Sequence, residues 1–573
     1  MKTTINNSIS YTGKSAGIFL VLIMIALLLP NITFSQNQGR PVTVATNDQT
    51  NAVTVTDGSG GSITAWQDRH NGKSEIFAQR MNAAGNPLWT LNGVPICTQD
   101  SSFNPSIVSD GLGGAIIAWE SYRGSITTDI FAQRVNSNGV VQWTLNGLPV
   151  AVLVFNQDSI AMVADGFNGA IITWQDYRTN TGNSQVFAQR INSIGTLLWT
   201  ANGVEICTHA FPARGPKIVS DGLGGAFITW FDKRAGNYDI YTQRIATGGA
   251  VVWTTNGVAT CTTPTTDQIR PDICSDGAAG IIAVWTDFRS TTDYNIYAQR
   301  QGPQGAIVWA VNGIVINNNV AYDQIDPKIV SDGLGGGIIS WTDYRTGVAP
   351  GTADIYAQRV NTSGTVQWTT TGIIICTAAG DQINSQLVSD GNNGAYIVWE
   401  DHRNAGNADI YAQRIASNAV ITWTANGFGI CTELNDQLKP GIVSNGNLGA
   451  IVVWQDYRSG NNYDIYMNGF NTGGIITEIG NETTTPLSFS LSQNFPNPFN
   501  PVTKINYQLP MSGLVRLSIF NMLGQKIGEL INETQSAGNY SVDWNATEFP
   551  SGTYIYRLES GSFVDVKKMI LLK

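Results

Sequence analysis

A tryptophan-centred segment recurs eight times in this chain of 573 residues, and the repetition limits the possible folds more than any other feature. The clearest copy runs from Pro327 to Cys376 and contains PKIVSDGLGGGIISWTDYR and then, after a short loop, DIYAQRVNTSGTVQWTTTGIIIC. The tryptophans that open its W-x-D-x-R motif lie 53 to 58 residues apart, at Trp66, Trp119, Trp174, Trp230, Trp285, Trp341, Trp399 and Trp454. A fixed period of this size indicates a repeat architecture.

Each repeat predicts four short antiparallel strands. The Asp332-Gly333 and Gly335-Gly336 pairs favour a tight hairpin, because glycine adopts positive φ without a steric penalty. The run GIISWTDYR alternates along an extended chain, and DIYAQRV and TVQWTTTGIIIC are rich in β-branched and aromatic residues. Four antiparallel strands at this period are typical of one β-propeller blade. A β-solenoid is the alternative, but its coils are usually shorter and parallel. The predicted fold class is therefore all-β, an eight-bladed propeller followed by a small β-sandwich.

Tryptophan occurs at two fixed places in the repeat. Beside the eight that open W-x-D-x-R, seven are predicted in the fourth strand, and Trp544 lies outside the repeats; the seven are Trp89, Trp143, Trp199, Trp253, Trp309, Trp368 and Trp423. Rings that recur in nearly every unit predict a core between blades, whereas tryptophans that bind sugars need not recur.

The ends of the repeat region predict how the ring closes. The segment PVTVATND, which begins at Pro41, resembles the end of a repeat, whereas the last repeat lacks the later part of its fourth strand and has Thr477 where tryptophan is expected. A ring must pair its first and last blades. We predict that residues 41–46 complete the eighth blade. A seven-bladed ring with one unpaired unit is the alternative.

The first 35 residues predict a secretory signal peptide. Lys2 and Lys14 precede an apolar stretch from Gly17 to Leu29, which is too short for a comfortable membrane span. We therefore expect an exported chain with no transmembrane span in its mature form. The net charge of −10 and the absence of a basic stripe argue against a nucleic-acid partner.

The repeats resemble those of TolB-like propellers over residues 50 to 470, approximately. The matching residues include Ser331-Asp332-Gly333, Asp343-x-Arg345 and Asp354-Ile355-Tyr356. The resemblance implies a propeller scaffold at residues 36–477 that is used mostly for protein contacts and performs no chemistry. Because the proline of the family hairpin is absent and eight units exceed the usual six, a TolB-type role is not implied.

Beyond a polar linker at residues 478–486, the period stops and residues 487–573 predict a small antiparallel sandwich. The motifs FPNPFNP, INYQLP, IFNMLGQKI, AGNYSVDW, SGTYIYRL and KKMILLK resemble, in order, the type A C-terminal sorting domain of the type IX secretion system. The resemblance implies the type IX secretion machinery as a partner, and delivery to the outer cell surface or the medium.

Cysteine and histidine give little catalytic potential. Cys97, Cys207, Cys261, Cys376 and Cys431 occupy one place in five repeats, too far apart for disulfides, so we predict buried free thiols. Cys261 and Cys274 are the only pair close in sequence, and they are a weak candidate for a disulfide. Three scattered histidines offer neither a zinc site nor a Ser-His-Asp triad, and His70 and His402 are predicted at the surface. No metal, cofactor or catalytic residue is predicted.

Two explanations remain for the repeated acids and arginines. The aspartates at the end of the second strand, such as Asp343, and the arginines that close A-Q-R, such as Arg359, could form a charged rim that receives a ligand. Alternatively, each set ties its own blade together or to a neighbour, which we favour because the sets recur in nearly every blade. The hairpin aspartates, such as Asp332, are predicted to act in turns rather than as calcium ligands.

Function is therefore expected where the repeat is broken. The candidate ligand-binding residues are Glu120, Phe231, Lys233, Glu400 and His402. One hypothesis is a non-catalytic binding module for a protein or glycan. The other is a secreted glycoside hydrolase or polysaccharide lyase with two carboxylates in the central funnel, and it requires Glu120 or Glu400 to lie beside a second acid.

Overall fold

A computed structural model describes residues 39–99, 101–123, 126–179, 182–317, 321–347, 352–404, 406–474, 490–494, 496–509, 512–536, 538–561 and 563–573. The predicted signal peptide and linker lie outside these ranges. The repeats and the C-terminal strands fall into two compact units. Every named element of the described residues is a β-strand, and none of these residues forms a helix that is long and apolar enough to span a membrane.

Eight four-stranded antiparallel sheets form the blades of a propeller, as predicted. The strand that precedes blade 1 is β1 (Arg40–Thr43), and blades 1 to 4 comprise β2 (Gln49–Thr56), β3 (Ser62–Asp68), β4 (Glu75–Met81), β5 (Val94–Cys97); β6 (Ser102–Ser109), β7 (Ala115–Ser121), β8 (Asp129–Val135), β9 (Leu148–Ala151); β10 (Gln157–Ala164), β11 (Ala170–Asp176), β12 (Gln185–Ile191), β13 (Val204–Cys207); and β14 (Ala213–Ser220), β15 (Ala226–Asp232), β16 (Asp239–Ile245), β17 (Val258–Cys261). Blades 5 to 8 comprise β18 (Gln268–Ser275), β19 (Ile281–Asp287), β20 (Asn295–Gln301), β21 (Ile314–Val315); β22 (Gln324–Ser331), β23 (Gly337–Asp343), β24 (Asp354–Val360), β25 (Ile373–Cys376); β26 (Gln382–Ser389), β27 (Ala395–Asp401), β28 (Asp409–Ile415), β29 (Phe428–Cys431); and β30 (Gln437–Ser444), β31 (Ala450–Asp456), β32 (Asp464–Phe470).

The first strand of each blade is the innermost one. Each first strand contacts the first strands of both neighbouring blades, and β30 contacts β2, so the inner strands form a closed ring around a central channel. This closure confirms eight blades rather than seven.

The amino end completes the eighth blade, as the sequence predicts. Strand β1 pairs antiparallel with β32, so that Pro41 lies opposite Tyr466 and Thr43 opposite Ile465. A Cβ atom on Gly39 would lie 2.5 Å from Cη2 of Trp454, which is the relation that Gly372 has to Trp341 within blade 6. The segment therefore occupies the place of an outer strand although most of the propeller sequence separates it from its sheet.

The repeated tryptophans of W-x-D-x-R form the core between blades. Trp341 is fully buried and packs in one cluster with Val284, Ile296 and Trp309 of the preceding blade. The other seven are also fully buried. The predicted core between blades is confirmed for this set.

The prediction that the second set of tryptophans lies in the fourth strand is wrong. Trp368 precedes β25, and its backbone N–H donates to the side-chain oxygen of Gln358 (3.0 Å) instead of joining a ladder. Its indole Nε1 donates to the carbonyl of Ser417 in the next blade (3.1 Å). The other six make the same link between blades. Each ring thus joins two blades by a hydrogen bond as well as by packing.

The C-terminal unit is the predicted antiparallel sandwich. Its strands are β33 (Ser490–Leu491), β34 (Val502–Leu509), β35 (Gly513–Phe520), β36 (Lys526–Gln535), β37 (Gly538–Asn545), β38 (Gly552–Ser560) and β39 (Phe563–Leu571). They form two sheets, β33-β34-β37 and β36-β35-β38-β39, around a core that contains Tyr507, Trp544 and Tyr556.

Candidate functional site at the channel mouth

The aspartate of W-x-D-x-R is buried inside the blade, and the arginine that binds it is half-buried. In blade 6 the carboxylate of Asp343 accepts hydrogen bonds from Trp341 Nε1 (2.8 Å), Arg345 Nε (2.9 Å) and Arg345 Nη2 (2.6 Å). The guanidinium lies 3.5 Å above the ring centre of Tyr356 and also donates to the carbonyl of Thr371. Because Asp343 is completely buried and all these donors belong to its own blade, this set ties the blade together and does not present the carboxylate to a ligand.

The hairpin aspartates and the A-Q-R arginines form a second internal network. Asp110 Oδ1 accepts the backbone N–H groups of Leu112 and Gly114 (both 2.8 Å). Its Oδ2 accepts Arg134 Nε (2.9 Å), and Arg134 Nη1 reaches the carbonyl of Ser193 in the next blade. The hypothesis of a ligand-receiving charged rim is therefore wrong for both repeated sets, and the structural explanation is confirmed.

His70, which was predicted at the surface, keeps 35% of its side chain exposed. It stands where other blades have the arginine of W-x-D-x-R, and its Nδ1 lies 2.6 Å from Asp68 Oδ1. Its ring packs edge-on against Phe77. Histidine thus takes over the arginine's position on a buried carboxylate. All six cysteines are buried and none forms a disulfide, so the prediction for the five repeated cysteines is confirmed and Cys261 and Cys274 are not bridged.

A ring of eight left-handed residues surrounds one mouth of the channel. The third residue of every inner strand has positive φ, at a bulge where the register with the second strand shifts. These residues are Asn51, Asn104, Ser159, Gly215, Arg270, Asp326, Asn384 and Lys439. A bulge turns its side chain out of the regular ladder, so this ring places seven side chains of five kinds around the axis, with Gly215 leaving the eighth place empty.

The ring residues are linked from blade to blade. Lys439 Nζ donates to Asn51 Oδ1 (2.9 Å), and Arg270 Nη1 forms an ion pair with Asp326 Oδ1 (2.6 Å). Asn104, Arg270 and Lys439 are exposed to solvent. A ligand at this mouth would therefore meet amide, hydroxyl and charged groups.

A second level lies deeper in the channel, two residues further along each inner strand. In blades 1, 2, 7 and 8 it consists of Val53, Ser106, Gln386 and Gly441, which line a cavity of about 540 Å³. In blades 4, 5 and 6 the equivalent residues are Lys217, Asp272 and Lys328. The level is therefore neutral on one side and charged on the other.

Burial lowers the pKa of Lys217, with Asp272 acting in the opposite direction and Lys328 in the same direction. Asp272 Oδ2 accepts the backbone N–H of Ile329 in blade 6 (3.0 Å). No ion pair within 4.0 Å joins Lys217 to a carboxylate among the residues that the structure describes. Lys217 is thus a cation in the channel without a close counterion among them.

Glu120 and Glu400, two of the predicted candidates, occupy equivalent places beside this mouth. Glu120 Oε1 accepts the backbone N–H of Ser159 in the next blade (2.9 Å), and Oε2 accepts Asn104 Nδ2 (3.2 Å). Glu400 accepts Lys439 N (2.5 Å) and Asn384 Nδ2 (2.8 Å) in the same way. In other blades an amide performs this task, as when Gln175 Oε1 accepts Gly215 N (2.7 Å). The fold therefore requires only a hydrogen-bond acceptor at this place, and the negative charge of a carboxylate is not needed for it.

Glu120 lies beside a second acid. Together with Asp158 it lines a cleft of about 610 Å³ that also contains Asn51, Asn104 and Ser159. The pKa of Glu120 is raised to about 7, chiefly by burial and also by Asp158, while the hydrogen bonds from Asn104 and Ser159 act in the opposite direction. Burial also raises the pKa of Asp158. An acid that is half-protonated near neutral pH beside another carboxyl group is an arrangement that acid–base chemistry uses.

Phe231 and Lys233 meet at the same end of blade 4. Phe231 packs edge-on against Tyr238, with ring centres 5.2 Å apart, and Lys233 Nζ lies 5.6 Å from the Tyr238 ring. Arg214, next to the bulge residue Gly215, lies 5.9 Å from the same ring. This group gives blade 4 an aromatic and basic surface next to the channel.

His402, the last candidate, makes no comparable contact. It is half-buried, and its backbone N–H donates to the carbonyl of Asp381 (2.9 Å). The residues that line the two clefts do not include it.

Sequence reasoning missed the inner-strand residues, above all Lys217, Asp272 and Lys328. A usable signal was present, since aligning the eight repeats shows that the positions around the first-strand proline vary in charge while the rest stays constant. The sequence did not show which strand faces the axis, so this variation in charge could not be assigned to the channel lining.

One group among the described residues has the composition of a metal site. Cys207 Sγ, His209 Nε2 and an Asp232 carboxylate oxygen all lie within 4.8 Å of one another. Arg234 Nη2, however, lies 2.5 Å from Asp232 Oδ2 and 3.3 Å from Cys207 Sγ. Burial raises the pKa of Cys207 to about 12. A guanidinium at that place and a protonated thiol both oppose a cation.

Changing Glu120 to glutamine should stabilise the propeller at pH 8 but not at pH 4. At pH 4 the carboxyl is mostly neutral in the folded and unfolded chains. Between its ordinary pKa of 4.5 and about 7, the unfolded chain ionises first, so wild-type stability falls as the pH rises, and the loss is complete above 7. Glutamine removes that loss. Urea unfolding of both proteins at both pH values measures it, and an equal difference at pH 4 and pH 8 would contradict the assignment.

The chain is an eight-bladed β-propeller followed in sequence by a C-terminal β-sandwich. Residues 493–572 match the family described as the secretion system C-terminal sorting domain. The chain is thus cargo of that secretion system, delivered to the cell surface or secreted, as predicted. No curated protein matches the chain.

Solved structures resemble the chain only remotely. An ulvan lyase of polysaccharide lyase family PL25 has 9% identity and a TM-score of 0.43, covering 69% of this chain and 98% of its own. An α-L-arabinofuranosidase from Fusarium graminearum has 10% identity and a TM-score of 0.31, covering 56% and 95%. A protein of unknown function from Dyadobacter fermentans has 11% identity and a TM-score of 0.31, covering 56% and 98%. Function must therefore be argued from the chain's own residues.

Proposed function

We propose that the exported propeller is a binding module that holds a glycan at the mouth of its central channel. The observation that carries the proposal is the loss of eightfold repetition in the channel lining. Elsewhere the repeated aspartates and arginines form hydrogen bonds and ion pairs within and between blades. At the channel, the bulge position of the inner strand carries Asn in three blades and Ser, Gly, Arg, Asp or Lys in the other five.

The chemistry of the lining supports a hydroxyl-rich ligand. Asn51, Asn104, Ser159 and Asn384 offer donors and acceptors on one arc, and Ser106 and Gln386 continue them inward. Sugar hydroxyl groups both donate and accept, and such mixed groups satisfy them.

The opposite arc supports a ligand that carries acidic groups. Two of the five lysines in the propeller sequence, Lys217 and Lys328, lie on inner strands of this arc, although the whole chain has a net charge of −10. Arg214 and Arg270 lie on the same arc. Carboxylate or sulfate groups on a sugar chain would be paired there by charge-assisted hydrogen bonds.

The test is calorimetric titration of the full-length protein with neutral and acidic polysaccharides. The double variant Lys217→Met/Lys328→Met should weaken binding of an acidic polysaccharide by about 10-fold or more, because a hydrogen bond to a charged group contributes about 1.5–3 kcal/mol. Lys73→Met, which removes an exposed lysine from a blade 1 loop, is the matched control. Equal affinity in all three proteins would refute the channel site.

A second candidate function is hydrolysis or elimination at the same mouth, and the pairing of Glu120 with Asp158 favours it. Glu120, with its pKa near 7, would be the general acid, and Asp158 the second carboxylate that such reactions need. Reducing-end and unsaturated-product assays on the same polysaccharides test this function. Turnover that Glu120→Gln abolishes would establish an enzyme, whereas binding without turnover leaves the binding module.

A further inference from the structure

Blade 2 lacks the carboxylate around which the other seven blades are built. Ser121 stands where W-x-D-x-R has its aspartate. In each of the other seven blades that aspartate accepts the indole N–H of the motif's tryptophan at 2.7–2.8 Å. In blades 3 to 8 it also accepts Nε of the arginine two residues later, at 2.7–2.9 Å.

The two donors remain in blade 2 in their usual places. Trp119 is completely buried, like its counterparts. The guanidinium of Arg123 lies 3.3 Å above the ring centre of Phe131, as that of Arg178 lies 3.5 Å above Phe187 in blade 3. It still donates to the carbonyl of Asn146, as its counterparts do to the equivalent carbonyls. The geometry of the blade is therefore conserved without the acceptor at its centre.

Both donors lack an acceptor among the described residues. Trp119 Nε1 and Arg123 Nε are buried atoms without a hydrogen-bond partner. Ser121 does not supply one, because its Oγ bonds Ser102 Oγ (3.2 Å) and forms no hydrogen bond with either donor. Burial lowers the pKa of Arg123, while Cys97 and Asp129 act in the opposite direction. Two buried N–H groups without an acceptor, one of them on the half-buried guanidinium of Arg123, carry a desolvation penalty.

We propose that blade 2 binds a small monovalent anion, chloride or another halide, between Trp119 Nε1 and Arg123 Nε. The anion would lie where the aspartate carboxylate lies in the other blades and would accept the same two N–H groups. A water molecule could accept these hydrogen bonds, but it would not supply the negative charge that the aspartate places against the arginine in the other blades.

The test is thermal unfolding of the full-length protein in sodium chloride against sodium gluconate at the same ionic strength. A ligand that binds only the folded state raises the unfolding temperature in a saturable way. The wild-type protein should gain several degrees as chloride replaces gluconate, and bromide should act alike. Ser121→Asp, which restores the carboxylate of the other blades, should be more stable in gluconate and lose the dependence on chloride.

A second measurement does not depend on how the variant folds. The wild-type protein should broaden the ³⁵Cl NMR line of dilute chloride, and added bromide should compete this broadening away. A wild-type protein with no chloride-dependent unfolding temperature and no line broadening would overturn the proposal. The same would follow if Ser121→Asp folded and kept the full chloride response.

Discussion

Replacing Asp343 by alanine should lower the free energy of unfolding of the propeller by about 3–5 kcal/mol, the range found when one partner of a buried ion pair is removed. The substitution leaves the guanidinium of Arg345 and the indole N–H of Trp341 without their acceptor in a fully buried site. Because Arg345 is also held against Tyr356, it cannot turn out to water without losing that contact. Urea unfolding, followed by tryptophan fluorescence, measures the change.

The matched control is Glu205→Ala. Glu205 is an exposed acid on β13 of the same propeller, so its removal should alter stability by no more than about 0.5 kcal/mol. A loss below about 1 kcal/mol for Asp343→Ala would mean that the carboxylate does not organise its blade, and would revive the alternative that these acids serve a ligand.

The repeated part of the fold was predictable because its residues meet packing requirements that are the same in every blade. A tryptophan at Trp341 requires a glycine such as Gly372 opposite its ring and an acceptor such as Asp343 for its indole. These requirements recur with the period, so the sequence displays them eight times. Ring closure by β1 was predictable for the same reason, since residues 39–43 satisfy the requirements of an outer strand for Trp454.

The second tryptophan set shows where this reasoning fails. Trp368 lies among residues that favour strands, yet its backbone N–H is bound by the Gln358 side chain. The sequence does not distinguish a ladder partner from a side-chain partner, because both satisfy the same backbone group. The blade thus ends in a strand of four residues rather than the longer one predicted.

The candidate site was only partly predictable, because its residues do not repeat. Glu120 was found as a break in the motif, but its neighbour Asp158 lies in another blade and ordinary strand sequence. Lys217 and Lys328 were invisible for a different reason. Their importance depends on the inner strand facing the axis, which is a property of the assembled ring rather than of one repeat.

Deleting residues 36–46 should lower the free energy of unfolding by about 5 kcal/mol and promote self-association. Strand β1 is the outer strand of blade 8, and its Val42 is 3% exposed. Burying such a side chain contributes about 1.5–3 kcal/mol, and each ladder hydrogen bond about 0.5–1.5 kcal/mol. The deletion also uncovers β32 as a free edge, which other chains can pair with. Thermal unfolding and light scattering measure both effects.

A synthetic peptide added to the truncated protein distinguishes the loss of strand β1 from general damage to the fold. Since β1 is joined to blade 8 by pairing with β32 and not by the adjacent chain, a synthetic peptide of residues 36–46 should bind the truncated protein and raise its unfolding temperature. The same peptide with Val42→Asp should not, because it would bury an unpaired carboxylate. If the truncated protein unfolded at the wild-type temperature without any peptide, the three remaining strands would close the ring by themselves, and the pairing of Pro41 with Tyr466 would contribute nothing to its stability.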